Sequence, residues 1–279
     1  MEENDVGSAA ERDVRAELPE GLETAVRDTA AAIAALLRGG ADGMGVRIPG
    51  ALWSAGEAAA HLALANELMA ELAAGSERPY GDGTPQSLAA ANEASLAAFG
   101  QREAEPLAAM IEEQAEACLR ALRAGGADTT VVTPLGTMSG QVLGSYLLTH
   151  MLGHGYDLAR ALGRPHMLDA DRVELTLPFL TAVMERVTEP ARAAGTTASY
   201  AIRLWSGGSF GVRVEAGTVR VDTRPPERPD CTIAIEPVTF LLMALGRLGQ
   251  WSALARGRIL VRGRRPWLAP RFPGLFTAP

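Results

Sequence analysis

Apolar residues recur at helical spacing through the first part of the chain and change to strict alternation near its end. Leu22, Val26, Ala30, Ile33 and Leu37 share one face of a helix predicted from about Pro19 to Leu37, which Gly39 and Gly40 stop. Ser54 and Glu57 stand at capping-box spacing, where each side chain satisfies an orphan amide of the first turn, so a second helix is predicted over Ala55 to Ala73. A loop with Pro79, Gly81, Gly83 and Pro85 precedes helices predicted over Pro85 to Phe99 and Glu103 to Arg123. Loop or short extended structure then leads to a long helix from Ser139 to about Leu162, ended by Gly163-Arg164-Pro165. Another helix is expected over Asp169 to Arg192, kinked or divided at Pro178.

Beyond about Gly195 the period becomes two. Tyr200, Ile202 and Leu204 alternate with small or polar residues, as do Phe210, Val212 and Val214, with Ser206-Gly-Gly-Ser209 as the hairpin turn between them. Thr218 to Val221, Cys231 to Ile235 and Ile259 to Val261 are further predicted strands, and Pro237 to Leu248 is an apolar helix. Trp205, Phe210 and Trp267 are expected to pack this second core. The chain therefore reads as all-α followed by a small α+β unit: a tail over residues 1–18, a helical bundle over 19–192 and the α+β domain over 197–279.

Composition narrows the function classes. With 47% hydrophobic and 21% charged residues, the 279-residue chain holds enough apolar material for a core. A net charge of −7 argues against a nucleic-acid partner. All 26 basic residues are Arg, so no lysine is available as a Schiff-base nucleophile or general base. Cys118 and Cys231 are expected to be buried reduced thiols. The first twenty residues are acidic and polar rather than leader-like, and no apolar run reaches the ~18 residues of a bilayer span. A cytoplasmic protein with no membrane partner, monomeric or homodimeric, is the expectation.

The chain has four histidines, and their placement carries the chemistry. His150 and His154, four apart on one predicted helix, project ~40° apart and ~6 Å along the axis, a spacing at which two imidazoles share a metal ion. His61 lies mid-helix on a stripe with Ala58, Leu62, Ala65 and Leu68 and is the third candidate ligand. Three neutral imidazoles with one open position make a catalytic-type zinc site. Histidines hydrogen-bonded at a core edge give the same spacing, so spacing alone leaves both readings open. Asp157 and Glu57 are candidates to orient the imidazoles, although a helix salt bridge of Asp157 with Arg160 or Arg164 and a simple capping role for Glu57 fit as well. Arg247 and Arg78 offer planar forks for an anionic substrate or cofactor group, against ordinary surface placement. His166, and the cluster of Arg262, Arg264 and Arg265, are read as solvated.

Two segments carry a family resemblance. Trp53-Ser-Ala-Gly-Glu57-Ala-Ala-Ala-His61-Leu62 resembles the opening motif of the DinB-like metal-binding bundles, and His154-Gly-Tyr-Asp157-Leu-Ala-Arg160-Ala-Leu-Gly-Arg164-Pro165 resembles a segment of the mycothiol-dependent maleylpyruvate isomerase group. The second half resembles the sterol carrier protein type 2-like domain, through Trp205-Ser-Gly-Gly, the Pro237 helix with Gly246-Arg247, and Gly257-Arg-Ile-Leu-Val-Arg-Gly263. The resemblance implies an antiparallel four-helix bundle holding a divalent metal, commonly zinc with nickel or iron as alternatives, through His61, His150 and His154. It also implies a low-molecular-weight thiol, mycothiol in an actinobacterium, activated at the metal to add to, transfer to or isomerise a small electrophile. His150 stands where the isomerase group often has Glu, which leaves the site one unit more positive and favours a bound anion such as thiolate or hydroxide. That exchange argues against maleylpyruvate itself. Two other functions remain: a thiol-independent Lewis-acid or metal-hydroxide enzyme acting on a natural-product intermediate, and a non-catalytic binder of an apolar ligand.

Overall fold

The computed structural model describes residues 17–82 and 85–277. The expected tail therefore lies outside the described residues but for its last two. The bundle consists of α1 (Leu22–Gly39), α2 (Ala55–Ala73), α4 (Ala104–Gly125) and α5 (Gly140–Ala161), with α3 (Pro85–Ala98) laid against α2. Helices α1 and α2 each pack on both α4 and α5. The predicted stripe of α1 is the buried one: Val26, Ile33 and Leu37 are fully enclosed. At the start of α2 both halves of the capping box form, with Glu57 N–H donating to Ser54 Oγ at 3.2 Å and Ser54 N–H donating to Glu57 Oε2 at 2.7 Å. Those bonds hold the Glu57 carboxyl below its usual pKa and fix the helix that carries His61.

Ion pairs such as Arg27–Glu116 (2.7 Å) and Arg38–Glu112 (3.0 Å) stitch α1 to α4 on the surface. Exposed pairs of this kind contribute roughly 0–1 kcal/mol, whereas burying one Leu or Ile contributes ~1.5–3 kcal/mol, so the apolar interior holds the bundle. Strands β1 (Thr130–Thr133) and β2 (Gly136–Ser139) form a hairpin between α4 and α5, and Ser139 caps α5 by accepting from Val142 N–H at 3.3 Å.

The helix expected over Asp169 to Arg192 is broken into α6 (Ala170–Glu174), α7 (Leu177–Met184) and α8 (Pro190–Ala193). Pro178 sits in the first turn of α7, where its missing N–H costs nothing, and the interruption falls before it. The cause is tertiary. Ser145 Oγ–H donates to Leu175 C=O at 2.8 Å and accepts from Phe179 N–H at 3.1 Å, so α5 takes over backbone groups that a continuous helix would pair internally. A turn over residues 185–187 leads to a single bridge of Thr188 with Phe276, flanked by bonds from Thr277 N–H to Val187 C=O and from Glu189 N–H to Leu275 C=O, both at 2.8 Å.

The second unit is a five-stranded sheet of β3 (Ala198–Leu204), β4 (Ser209–Glu215), β5 (Thr218–Asp222), β6 (Cys231–Ile235) and β7 (Ile259–Arg262), ordered β5-β4-β3-β6-β7. Only the β3–β6 pair is parallel. The helix expected from Pro237 to Leu248 stops earlier: α9 spans Pro237–Ala244, Gly246 turns the chain at φ 72°, and an unanticipated α10 covers Gln250–Ala255. Phe210 is in the core as expected. Trp205 and Trp267 are not: they are 47% and 62% exposed. Cys118 and Cys231 are free and buried, and burial pushes the Cys118 thiol up to about 12.

Gly140 starts α5 against the 126–127 turn, and a Cβ there would stand 2.8 Å from Gly126 O. A backbone carbonyl cannot swing aside. Gly140→Ala is expected to destabilise the protein by about 1–3 kcal/mol, the usual range for overpacking, read from the urea midpoint. An unchanged midpoint would show that α5 tolerates a shift at its start.

Candidate metal centre and cavity

The inward stripe of α5 repeats every four residues, placing Tyr146, His150 and His154 on one face toward His61 of α2. The imidazole centroids stand 5.2 Å apart for His61–His150, 4.9 Å for His61–His154 and 4.5 Å for His150–His154. One ring nitrogen from each lies within 4.8 Å of the other two. Trp53, just ahead of the Ser54 cap, lies 4.8 Å from the His61 ring. On the other side Tyr146 stacks on Phe179 of α7 at 4.3 Å. The ring wall formed by Trp53, Tyr146 and Phe179 was not anticipated from sequence. The four-residue interval from Tyr146 to His150 to His154 was the available signal for its central member.

The surroundings keep the imidazoles neutral. Burial lowers His61 to about 4, and burial together with the neighbouring imidazoles and the Arg247 guanidinium lowers His154 well below its usual value. His150 is lowered in the same way, by burial first. A neutral imidazole offers a lone pair, and the buried Nδ1 of His150 has no hydrogen-bond partner. A buried polar nitrogen without a partner costs roughly 1–3 kcal/mol, a cost that ligation removes. Three clustered neutral imidazoles, one of them carrying an orphaned nitrogen, fit a divalent cation of the zinc type.

Asp157 and Arg247 meet. Arg247 Nη2 lies 2.9 Å from Asp157 Oδ2, and Nε reaches both carboxylate oxygens at 3.3–3.4 Å. The pair is mostly buried, with side chains 12% and 25% exposed. Arg247 also donates to Leu245 C=O. Beside it, Leu245 packs so closely on α5 that a Cβ at Gly153 would stand 3.0 Å from Leu245 Cδ1. The α9–α10 turn is thereby clamped onto α5 next to His154. The Asp157 partner is thus Arg247, across the unit boundary, rather than Arg160 or Arg164. Those two are otherwise engaged: Arg160 lies over the Tyr156 ring at 5.7 Å, and Arg164 donates to Gly39 C=O.

Arg78 lies away from the cavity wall, paired with Glu71 at 2.6 Å and Glu67 at 3.8 Å. Glu57 is spent on the helix cap. His166 is exposed, its Nδ1 accepting from Leu168 N–H at 3.3 Å. Arg264 pairs with Asp230 at 3.1 Å, and Arg265 donates to Thr197 C=O at 3.1 Å.

The triad faces a cavity of about 990 Å³ built by both units. From the bundle come Leu68, Met69, Leu72 and Tyr146; from the α+β unit come Ile235, Phe240, Met243, Ala244, Ile259 and Val261. The sheet and α9 therefore close over the histidines.

In metal-free protein the depressed imidazole of His61 makes stability depend on pH. The unfolded chain takes up a proton near its ordinary value of ~6.5 and the folded chain only near 4. Between these values the unfolded state binds more protons, so stability is full above ~6.5 and declines as pH falls to about 4. His61 alone contributes on the order of 3 kcal/mol across that window, at ~1.36 kcal/mol per unit. Urea midpoints measured at pH 7 and 4.5 are expected to differ less in His61→Gln than in the parent; equal differences would place the acid sensitivity elsewhere.

Comparison with known proteins gives a family match in the C-terminal part and a fold match over most of the chain. Residues 180–265 match the SCP-2 sterol transfer family, a match that begins within α7 and ends after β7. No curated protein matches the chain. The chain superposes on a variant of the mycothiol-dependent maleylpyruvate isomerase with a TM-score of 0.51 and 17% identity, over 82% of this chain and 89% of that one. A second structure of that isomerase gives 0.47 and 16%, over 83% and 90%. The inverting sec-alkylsulfatase Pisa1 from Pseudomonas sp. gives 0.34 and 15% over 50% of this chain, which spans only 24% of that enzyme's length. The helical bundle followed by an α+β unit is the fold of the maleylpyruvate isomerase, with an SCP-2-type second half.

Proposed function

We propose that the protein holds one divalent ion, zinc in the first place with nickel or iron as alternatives, through His61, His150 and His154. We further propose that it activates a low-molecular-weight thiol there for reaction with an electrophilic carbon. The observation that carries this reading is the set of three neutral imidazoles, one with an unpaired buried nitrogen, at the wall of a shared cavity. The isomerase whose fold the chain shares is mycothiol-dependent, which makes mycothiol the leading candidate thiol.

The charge balance supports an anionic fourth ligand. Among the described residues no carboxylate belongs to the cluster, and Asp157 and Arg247 neutralise each other. Three neutral ligands leave a divalent ion's charge uncompensated inside a cavity of low polarity, where an unpaired charge is costly. A bound metal supplies Lewis acidity that lowers the pKa of an incoming thiol and favours its deprotonated form. His61, His150 and His154 orient that centre. The Tyr146 hydroxyl, pushed up to about 12 by burial, stays protonated on the stacked ring one turn from His150. In conjugate addition the thiol loses its proton, the S–C bond forms and the π pair moves to the neighbouring carbon, which takes up a proton. After bond rotation, loss of that proton returns the electron pair to the π bond and the C–S bond breaks, so that thiolate and proton leave together as thiol and complete an isomerisation; retention of the S–C bond completes a transfer.

A second reading has its own support. The cavity wall is largely apolar and residues 180–265 match a sterol transfer family, as suits a binder of an apolar ligand. Metal content separates the two. About one zinc per chain is expected in the purified protein and none in the triple variant His61→Ala/His150→Ala/His154→Ala. In cobalt-loaded protein, added mycothiol is expected to produce a sulfur-to-cobalt charge-transfer band. Failure of zinc, nickel and iron alike to bind on reloading would sink the metal reading; metal bound without any thiol band would leave a Lewis-acid or hydroxide enzyme.

A further inference from the structure

The two functional features are one space. The cavity that exposes His61, His150 and His154 continues without a partition between the bundle and the sheet as far as Trp251, Leu254 and Trp267. Its volume of about 990 Å³ stands at the top of the ~300–1,000 Å³ that drug-sized ligands occupy, far more than a small electrophile fills.

The rims of this space differ in chemistry. At α3 the cavity is bounded by exposed Ala89 beside Tyr80, whose hydroxyl donates to Asn92 Oδ1 at 2.6 Å. At the α+β unit the wall ends on Trp251 and Trp267, each 62% exposed, and on Leu254 at 47%. Large apolar side chains held half out of a protein while lining a cavity favour an apolar guest passing between them. Between the rims α9 and the sheet present Met243, Ala244, Ile259 and Val261, which offer no hydrogen bond from a side chain. The charged residues of the lining are few, and Arg247 among them is bound to Asp157.

We propose that the molecule acted on at the triad is a single-chain amphiphile. Its reactive head lies at His61, His150 and His154, and its unbranched apolar tail runs along α9 and the sheet to leave between Trp251 and Trp267. The proposal rests on the metal reading above and specifies the substrate class for it. Tyr80 and Asn92, in the lining of the same cavity, offer polar groups to the hydrophilic thiol. Because the α9–α10 turn is clamped beside His154 by Asp157–Arg247, the tail channel stays aligned with the metal centre.

The test is a homologous series of saturated straight-chain hydroxamates, from acetyl to decanoyl, titrated calorimetrically into the zinc-loaded full chain. A hydroxamate head ligates zinc, so the tail alone varies. Each added methylene is expected to tighten binding about three- to fourfold until the chain reaches the rim, the fold-change that ~0.8 kcal/mol per buried methylene produces. Ala244→Phe fills the channel from the α9 side. It is expected to abolish the gain beyond short chains while acetohydroxamate binds as before, with circular dichroism confirming the fold; Val261→Phe serves if the first variant does not fold. A flat series in zinc-loaded protein overturns the tail channel while leaving the metal centre standing. A slope that zinc removal leaves unchanged for every chain length overturns the joining of head to triad. Failure of the chain to retain zinc, with the slope persisting, overturns the metal reading and this proposal with it, leaving an apolar binding cavity.

Discussion

The ion pair between Asp157 and Arg247 is small in area, but it ties the α9–α10 turn to the helix that carries two of the three histidines. Other bonds also join the two units, among them Glu174 with Gly208 N–H and residues 187–189 with 275–277, but this pair lies beside the histidines. The α9–α10 turn sits on Gly153, directly beside His154, and the sheet forms the second wall of the cavity. A mostly buried pair of this kind adds little net stability, because desolvating both charges offsets most of their attraction. Its contribution is geometric. Breaking one partner would strand a charge in the interface, so the two units remain in register or come apart together.

Closing the cavity sets the state of the imidazoles. Histidine in water titrates near ~6.5 and spends part of its time as a cation that cannot ligate. Behind the sheet all three are driven below that range and remain neutral at physiological pH. Neutrality comes at a cost, visible in the unpaired Nδ1 of His150. The same exclusion of water that leaves this nitrogen unsatisfied strengthens its preference for a cation and, in turn, the cation's preference for an anion.

Local chemistry was legible in the sequence to the extent that it was local. The capping box fixes the start of α2 from residues three apart, and the four-residue step on α5 places His150 and His154 together, because both depend only on helix geometry. The alternation of Tyr200, Ile202 and Leu204 likewise found a strand. What escaped was set by distant partners. Arg78 offered the same fork as Arg247, but Glu67 and Glu71 claim one and Asp157, 90 residues away, claims the other. A division at Pro178 was legible, but the end of α7 at Met184 and the contact of residues 187–189 with 275–277 are set by distant partners that the local pattern does not mark. Trp205 and Trp267 were expected in the second core, yet both are exposed.

That contact between residues 187–189 and 275–277 has a consequence in time. Thr277 and Glu189, hydrogen-bonded in the folded chain, are separated by 88 residues. At ~5–20 residues per second the ribosome takes roughly 4–18 s to deliver the second after the first. Throughout that interval the helical bundle can assemble, but its apolar wall and its three histidines lack their cover. The nascent bundle is thus a half-open container, and ions or oily molecules present in those seconds meet the site before the sheet arrives.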